Sequence, residues 1–400
     1  MQLVTFLGKG REKNQTGYRT ATYEFPDGPR EETPFFGLAL ARHLHPDTLI
    51  ILGTAGSMWD VLIEHLATAD DSEEVRMELM DAVKSANVTQ SLLDRVAPLA
   101  ERTVKCPLRL RLIPYAREDS EQIAILQDLA QAVERGRVSF DLTHAFRHLG
   151  MLGLVSAFFL ERTGKLKVEG LYYGALDMTR DGITPVLRLD GLVSIQRWVA
   201  AMDHFDATGD YGAFAPLLVD DGVPADLAAC LEAAAFHERT FNLRDAKRKL
   251  QTFLPCLKEP LPGASGLFQK RLSERLQWAR EAELHDNQRT LAYTYLARRD
   301  YVRAAVLAWE AIITRECAKN GLDATDFKVN GGRAEAEELV KRRLEAHGTR
   351  WDESPHWRLK NLRNALAHGS PPQNPELCRV VSDPERLHET LESDIKRALG

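Results

Sequence analysis

TLIILGTAGS, residues 48–57, decides how the chain is read. Its first half is an apolar run suited to a strand buried on both faces. Its second half is a turn of Gly, Ser and Thr, and helical spacing resumes from Trp59 to Leu66. Working outward, LVTFLG (Leu3–Gly8) is another short buried strand, and YRTATYEF (Tyr18–Phe25) alternates as a strand does. TPFFGLALARHL (Thr33–Leu44) has helical spacing behind a Thr-Pro start. Downstream, helical periodicity over Glu74–Leu99, alternation in LRLRLIPY (Leu108–Tyr115) and a helix over Glu121–Glu134 follow in turn. RVSFDLTHA (Arg137–Ala145) reads as a strand and turn, His148–Arg162 as an apolar helix, and KVEGLYYGAL and TPVLRL as the closing strands. Alternation of this kind predicts an α/β domain, Rossmann-like, with a largely parallel sheet covered by helices on both faces.

From about Gly191 the strand pattern stops and helix follows helix to Leu399. The change of period predicts a boundary at 190–205. Three parts are expected: an α/β domain over 1–195, a helical connector over 196–290 and an all-α C-terminal domain over 291–400. A length of 400 residues suffices for two or three cores. The net charge of −6 advertises no broad basic field, so any contact to nucleic acid must come from local clusters.

The opening MQLVTFLGKG lacks a signal-peptide pattern. The longest apolar run, MLGLVSAFFL (Met151–Leu160), is too short to cross a bilayer, so no membrane partner is expected. Cys106, Cys230, Cys256, Cys317 and Cys378 are odd in number and lack a CxxC pair, which points to a reducing cytoplasm and away from structural zinc. HExxH is absent, and the pairs His43/His45 and His144/His148 do not complete a ligand set, so no metal site and no cofactor are expected.

Two places carry chemistry. The first is the carboxyl end of the sheet, where ligands of parallel sheets collect. After one strand come Gly53, Thr54 and Ser57, with a helix beginning near Met58 whose amides would favour an anion. After another come Thr143, His144 and Arg147, the last able to fork onto a phosphate. The first strand adds a basic loop with Gly8, Lys9, Gly10 and Arg11. On the plainer reading, Asp141 and Thr143 only cap a helix and the glycine turn is only a turn. Neither GxGxxG nor a P-loop is present, which argues against a dinucleotide or ATP, while three polar, partly basic turns on neighbouring strand ends favour a nucleotide-phosphate ligand.

The second is RLKNLRNALAHGS (Arg358–Ser370). Arg363 and His368 are five residues apart, roughly 140° around a regular helix. Both reach one cleft if the helix ends near Gly369 or if two copies face each other; SPPQNP supports an abrupt end. RNA cleavage without metal needs a group that moves protons near neutral pH and a cation for the transition state, which histidine and arginine supply. Arg358 and Lys360 are placed to guide an RNA backbone. A helix C-terminus with a favourable His is the plain alternative.

RNALAHG resembles the Arg-x4–6-His motif of HEPN ribonucleases, with the polar Asn364 after the arginine. YVRAAVLAWEAII (Tyr301–Ile313) resembles the other core helix of that fold, with Glu310 at a position often acidic. The opening strand, the LGTAGS turn and DLTHAFRHLGML resemble the CARF sensor domain, the last matching D-x-T-H-x-x-R, although Ala145 replaces a common Gly and Gly150 a common Pro. Together they resemble the CRISPR-associated CARF–HEPN ribonucleases of type III systems. The resemblance implies a homodimer or higher homo-oligomer that binds a cyclic oligoadenylate, first cyclic tetra-adenylate and second cyclic hexa-adenylate. It also implies metal-independent cleavage of single-stranded RNA by Arg363, Asn364 and His368. The alternatives are a sensor whose helices bind RNA or a partner without cutting, and a metabolic enzyme on the sheet domain, which lacks a coenzyme fingerprint.

Overall fold

Alternate residues of two neighbouring strands supply the two halves of the N-terminal core. The computed structural model describes residues 1–9, 20–67, 73–144 and 146–400. Gly10, Arg11 and Ala145 lie outside the described residues. Strands β1 (Gln2–Leu7) and β4 (Thr48–Gly53) are buried along their whole length. They pair in parallel, Leu3 opposite Leu49 and Val4 opposite Ile50. Leu3, Leu7, Leu49 and Ile51 enter one apolar cluster. Val4, Phe6, Ile50 and Leu52 enter the other, on the opposite face. A period of two with both faces covered by helices requires the unbroken apolar run of TLIIL.

The remaining strands of the first unit, Met1–Gln196, are β2 (Ala21–Glu24), β3 (Arg30–Thr33), β5 (Leu108–Leu112), β6 (Gly136–Asp141), β7 (Leu166–Gly174) and β8 (Ile183–Arg188). Their order is β3-β2-β8-β7-β6-β1-β4-β5. The five strands from β7 to β5 are mutually parallel, while β7/β8 and β2/β3 are antiparallel. The sheet is therefore mixed, parallel at its centre. Arg30, Glu31, Glu32 and Thr33 form the outermost strand, which has no apolar alternation to reveal it and whose charges blunt the edge. The helices are α1 (Phe36–Leu44), α2 (Trp59–Leu66), α3 (Glu73–Lys84), α4 (Gln90–Val104), α5 (Asp119–Ala132) and α6 (Arg147–Arg162), with α7 (Asp190–Thr208) carrying the boundary. Strand order reverses at β1, between β4 and β6, so the loops after these three strands surround the switch point.

The second unit, Arg197–Gly400, is helical. It holds α8 (Ala215–Asp220), α9 (Ala225–Arg239), α10 (Leu243–Phe253), α11 (Ser265–Arg275), α12 (Leu284–Ala297) and α13 (Tyr301–Asn320). Then come α14 (Gly332–Ala346), α15 (Pro355–His368), α16 (Pro375–Val381) and α17 (Pro384–Leu399). Apolar residues lie all round α13, which packs against α12, α14, α15 and α17. A helix apolar on every side belongs at the centre of a bundle. A separate connector over 196–290 was expected; instead one cluster runs from Trp198 through Phe253 and Trp309 to Leu399. The helices over 196–290 bury their faces against the later ones, so the period of the sequence could not separate them.

Candidate functional site

At the tip of β6 each polar residue of DLTH is tied to a different element. Asp141 is fully buried; its carboxylate accepts from the Thr5 hydroxyl of β1 at 2.6 Å and from the Thr143 amide at 2.8 Å. Burial pushes the Asp141 carboxyl up to about 6, against those two hydrogen bonds. Thr143 Oγ1 accepts from the Gly174 amide at the end of β7, 2.8 Å away. His144 Nε2 accepts from the Phe36 amide at 3.1 Å. That amide opens α1, whose N-cap residue, Phe35, offers no side-chain cap, so His144 serves as the cap from across the sheet. Burial holds His144 down to about 4 and therefore neutral at pH 7.

The turn after β4 is equally committed. Thr54 and Ser57 are buried, each 1% exposed. Ser57 Oγ donates to the Leu7 carbonyl at 2.7 Å and accepts from the Thr54 amide at 2.9 Å. The amides of Ser57, Met58 and Trp59 donate to the carbonyls of Thr54, Gly8 and Ser57. Trp59 lies against Gly53, where a Cβ would sit 2.5 Å from the ring. Only glycine allows that approach.

The structure thus divides the residues chosen from sequence. Gly8, Gly53, Thr54, Ser57, Thr143 and His144 build and lock the crevice floor, and a buried neutral histidine is no cation for a phosphate. The helix amides expected to hold an anion are already spent on the loops. Lys9 and Arg147 are exposed, on the loops after β1 and β6. Arg147 opens α6 and has no ion-pair partner among the described residues.

Sequence reasoning missed the neighbouring rim. Tyr115 follows β5, with Arg117 stacked 4.9 Å over its ring and Phe146 at 6.4 Å. The His148 ring meets the Tyr115 carbonyl at 2.9 Å. A Cβ on Gly56 would touch the Tyr115 hydroxyl at 2.7 Å, so this aromatic shelf overhangs the glycine turn. The strand-end rule applied one strand further, to the IPYAR that follows β5, points to it.

In the helical unit, Ser354 caps α15 by accepting from the Trp357 amide at 3.1 Å, with Pro355 in the first turn. Pro355, His356, Leu359 and Leu362 face the core. The helix stays regular through His368 and ends on Gly369, at φ 64° in the left-handed region. Arg363 and Asn364 are half-buried and His368 is exposed. The Arg363 Nε is enclosed, with no hydrogen-bond partner among the described residues. The helix thus ends near Gly369, one of the two arrangements under which both groups reach one cleft, although within α15 the arginine and histidine lie about 140° apart.

Arg358 and Lys360 have other work than the RNA contact expected of them. The Arg358 guanidinium forks onto the buried Asp394 of α17, Nε to Oδ2 at 2.9 Å, and Lys360 pairs with Glu337. The two cations lie about 200° apart around α15 and are engaged by different helices, α17 and α14. Glu310 pairs with Arg333 at 2.7 Å. Among the described residues no three His, Cys, Asp or Glu side chains gather as a metal would require, and no helix is long and apolar enough to cross a membrane.

Residues 2–177 match the CARF domain of CRISPR system endoribonuclease Csx1. That match covers less than half of the chain, and the N-terminal unit is similar to a CARF domain. An all-helical unit follows this CARF-like unit in the same chain. CRISPR-associated protein MJ1674 of Methanocaldococcus jannaschii is 27% identical over 284 residues, 64% of this chain; the chain spans 44% of that relative's length. Enterococcus italicus Csm6 bound to cyclic hexa-2′-fluoro-hexa-dAMP aligns over 99% of this chain and 94% of its own at 11% identity, with a TM-score of 0.37, too slight a likeness to bear on function.

Proposed function

We propose that the chain is a cyclic oligoadenylate-activated endoribonuclease of type III CRISPR defence, acting in the cytoplasm on single-stranded RNA without metal. The observation that carries this reading is one chain holding a CARF-like domain followed by a helical unit in which RNALAHG closes a capped helix. The helical unit is read as a HEPN domain. Lys9 and Arg147 are the exposed cations for the activator's phosphates, over a floor made rigid by Asp141, Thr143 and His144. Cyclic tetra-adenylate is the first choice of activator.

Cleavage needs a proton taken from the RNA 2′-hydroxyl, attack of that oxygen on phosphorus and a proton given to the departing 5′-oxygen. His368, exposed at the helix end, is placed to move protons. Arg363 stabilises the charge of the five-coordinate phosphorus, and Asn364 orients the strand. Two copies about a two-fold axis bring both groups to one cleft. The test is labelled single-stranded RNA incubated with the protein in EDTA, with and without each cyclic oligoadenylate. Activator-dependent cleavage ending in a cyclic phosphate supports the reading; RNA left intact by every ring, or cleavage only with added metal, sinks it.

A further inference from the structure

A cavity of about 280 Å³ opens in the helical unit between the start of α10, the flank of α12 and α13 and the loop before α14. Its lower wall contains Gln288 from α12, only 8% exposed, whose Oε1 has no hydrogen-bond partner among the described residues. Thr314 of α13, 6% exposed, lies beside it. Buried amide oxygens are almost always paired, so an orphan at the floor of a cavity implies a donor that comes from outside. The rim is aromatic. Phe327 is 76% exposed, with the Arg333 guanidinium 4.6 Å over one face of its ring. Arg333 is fixed in turn by Glu310 at 2.7 Å and by the Ala324 carbonyl at 3.2 Å. Phe241, which lines the same cavity from just before α10, is 40% exposed and held at φ 60°, a backbone region that L-residues rarely adopt.

An exposed ring backed by a cation, a second ring in the same lining and an unpaired amide below form a slot for a flat heterocycle with donor and acceptor side by side. A glutamine amide satisfies that pattern best on adenine, through the exocyclic amine and a ring nitrogen. The volume, just under the roughly 300 Å³ of the smallest usual ligand pockets, suits one base and its sugar. Charge decides between a free nucleotide and a strand. Arg333 and Glu310 neutralise each other, which leaves the exposed Arg244, in the field of the nearby Asp323 carboxylate, as the remaining cation of the lining. One cation matches a single phosphodiester, not the multiple charges of a free nucleotide. Val329, 91% exposed, continues the apolar surface beyond Phe327, where a neighbouring base would lie.

We propose that this cavity, separate from the Arg363–His368 helix end, captures an adenine base of single-stranded RNA between Phe241 and Phe327, with Gln288 reading its edge. The inference does not depend on whether the protein cuts RNA. The test is therefore fluorescence anisotropy of the full chain with 5′-fluorescein 2′-O-methyl decamers of A and of U, which have no 2′-hydroxyl to react. Wild type should bind the A decamer about tenfold or more tightly than the U decamer, the range of one bidentate base contact. Gln288→Leu should bring the two to within about twofold by weakening A alone. Phe327→Ala, a surface change that spares the fold, should weaken both by about five- to a hundredfold, as the loss of a stacking platform does. AMP should displace the A decamer only at concentrations about a hundredfold above that of unlabelled decamer. Equal binding of A and U by wild type, or unchanged binding in Phe327→Ala, would overturn the proposal. Displacement by AMP at equal concentration would overturn the strand as occupant and assign the slot to a free adenine nucleotide.

Discussion

Replacing His144 by Leu separates its two effects on the sheet domain. At pH 7.5 the variant loses the acceptor for the Phe36 amide, which sits at the buried start of α1. An unsatisfied buried N–H costs about 1–3 kcal/mol. Acid works the other way. In the folded chain the His144 pKa falls from 6.5 to about 4 because burial disfavours the cation. A group whose folded pKa is depressed contributes stability above its unfolded value and loses it as pH falls through the window, here from about 6.5 to about 4. By pH 5 the wild-type protein has given up about 2 kcal/mol at this residue, and below pH 4 about 3 kcal/mol. The leucine variant carries no such penalty. Asp141 has the opposite sign, its raised pKa giving stability that fades as pH rises through about 6. It is present in both proteins and cancels in the comparison. The variant should therefore be the weaker protein at pH 7.5, and the difference should move in its favour by about 2 kcal/mol near pH 5. Hydrogen exchange of peptides covering β1 and β4, corrected for intrinsic exchange at each pH, reads the opening free energy of this unit alone. A gap between the two proteins that stays constant from pH 7.5 to 5 would refute the buried neutral cap.

Arg147→Ala should raise the concentration of cyclic oligoadenylate needed for half-maximal cleavage by about ten- to a hundredfold, the usual loss of a charge-assisted contact. The rate at saturation should stay near wild type; unchanged affinity by calorimetry removes Arg147 from the site. His368→Ala should abolish RNA cleavage and leave activator binding intact, and cleavage at the wild-type rate would show the assignment wrong. Arg358→Ala strands the buried Asp394 carboxylate and should destabilise the helical unit by about 3–5 kcal/mol. Lys360→Ala, at a more exposed pair, should cost less than about 1 kcal/mol in the same urea titration. If the two variants are equally stable but both fail to bind RNA, these cations belong to the RNA path after all. EDTA should leave cleavage unchanged.

The centre of the fold was legible because burial on both faces leaves an unmistakable pattern: TLIIL has no polar residue to spare. The edge was not. Arg30–Thr33 is held as a strand by its pairing to β2, a non-local fact that its own side chains do not announce. Polar residues in the site were legible as a set, but their roles were not. Sequence marks Thr54, Ser57 and His144 as able to bind a ligand; only the fold shows their hydrogen bonds already made to Leu7, Thr54 and Phe36. The same holds for Arg358, whose partner Asp394 lies 36 residues away on another helix. Tyr115 and Arg117 failed to stand out for the converse reason, because nothing local marks an aromatic beside a cation until a glycine turn is brought beneath it.

Helix α15 bears on how many chains the pattern needs. Its cap at Ser354 and its stop at Gly369 keep the helix regular through His368. Arg363 and His368 therefore lie about 140° apart around the helix. Half-burial of Arg363 against exposure of His368 is what such a rotation produces. We propose that a cleft needing both groups takes the arginine and the histidine from two copies of the helix. An isologous contact supplies this, since each copy meets its own symmetry mate through the same surface. Chains carrying His368→Ala mixed with wild-type chains should accordingly give activity that follows the mixed dimer, not the wild-type fraction. A fully active monomer in light scattering would show that one copy of the helix, ending at Gly369, suffices and would refute the two-fold cleft.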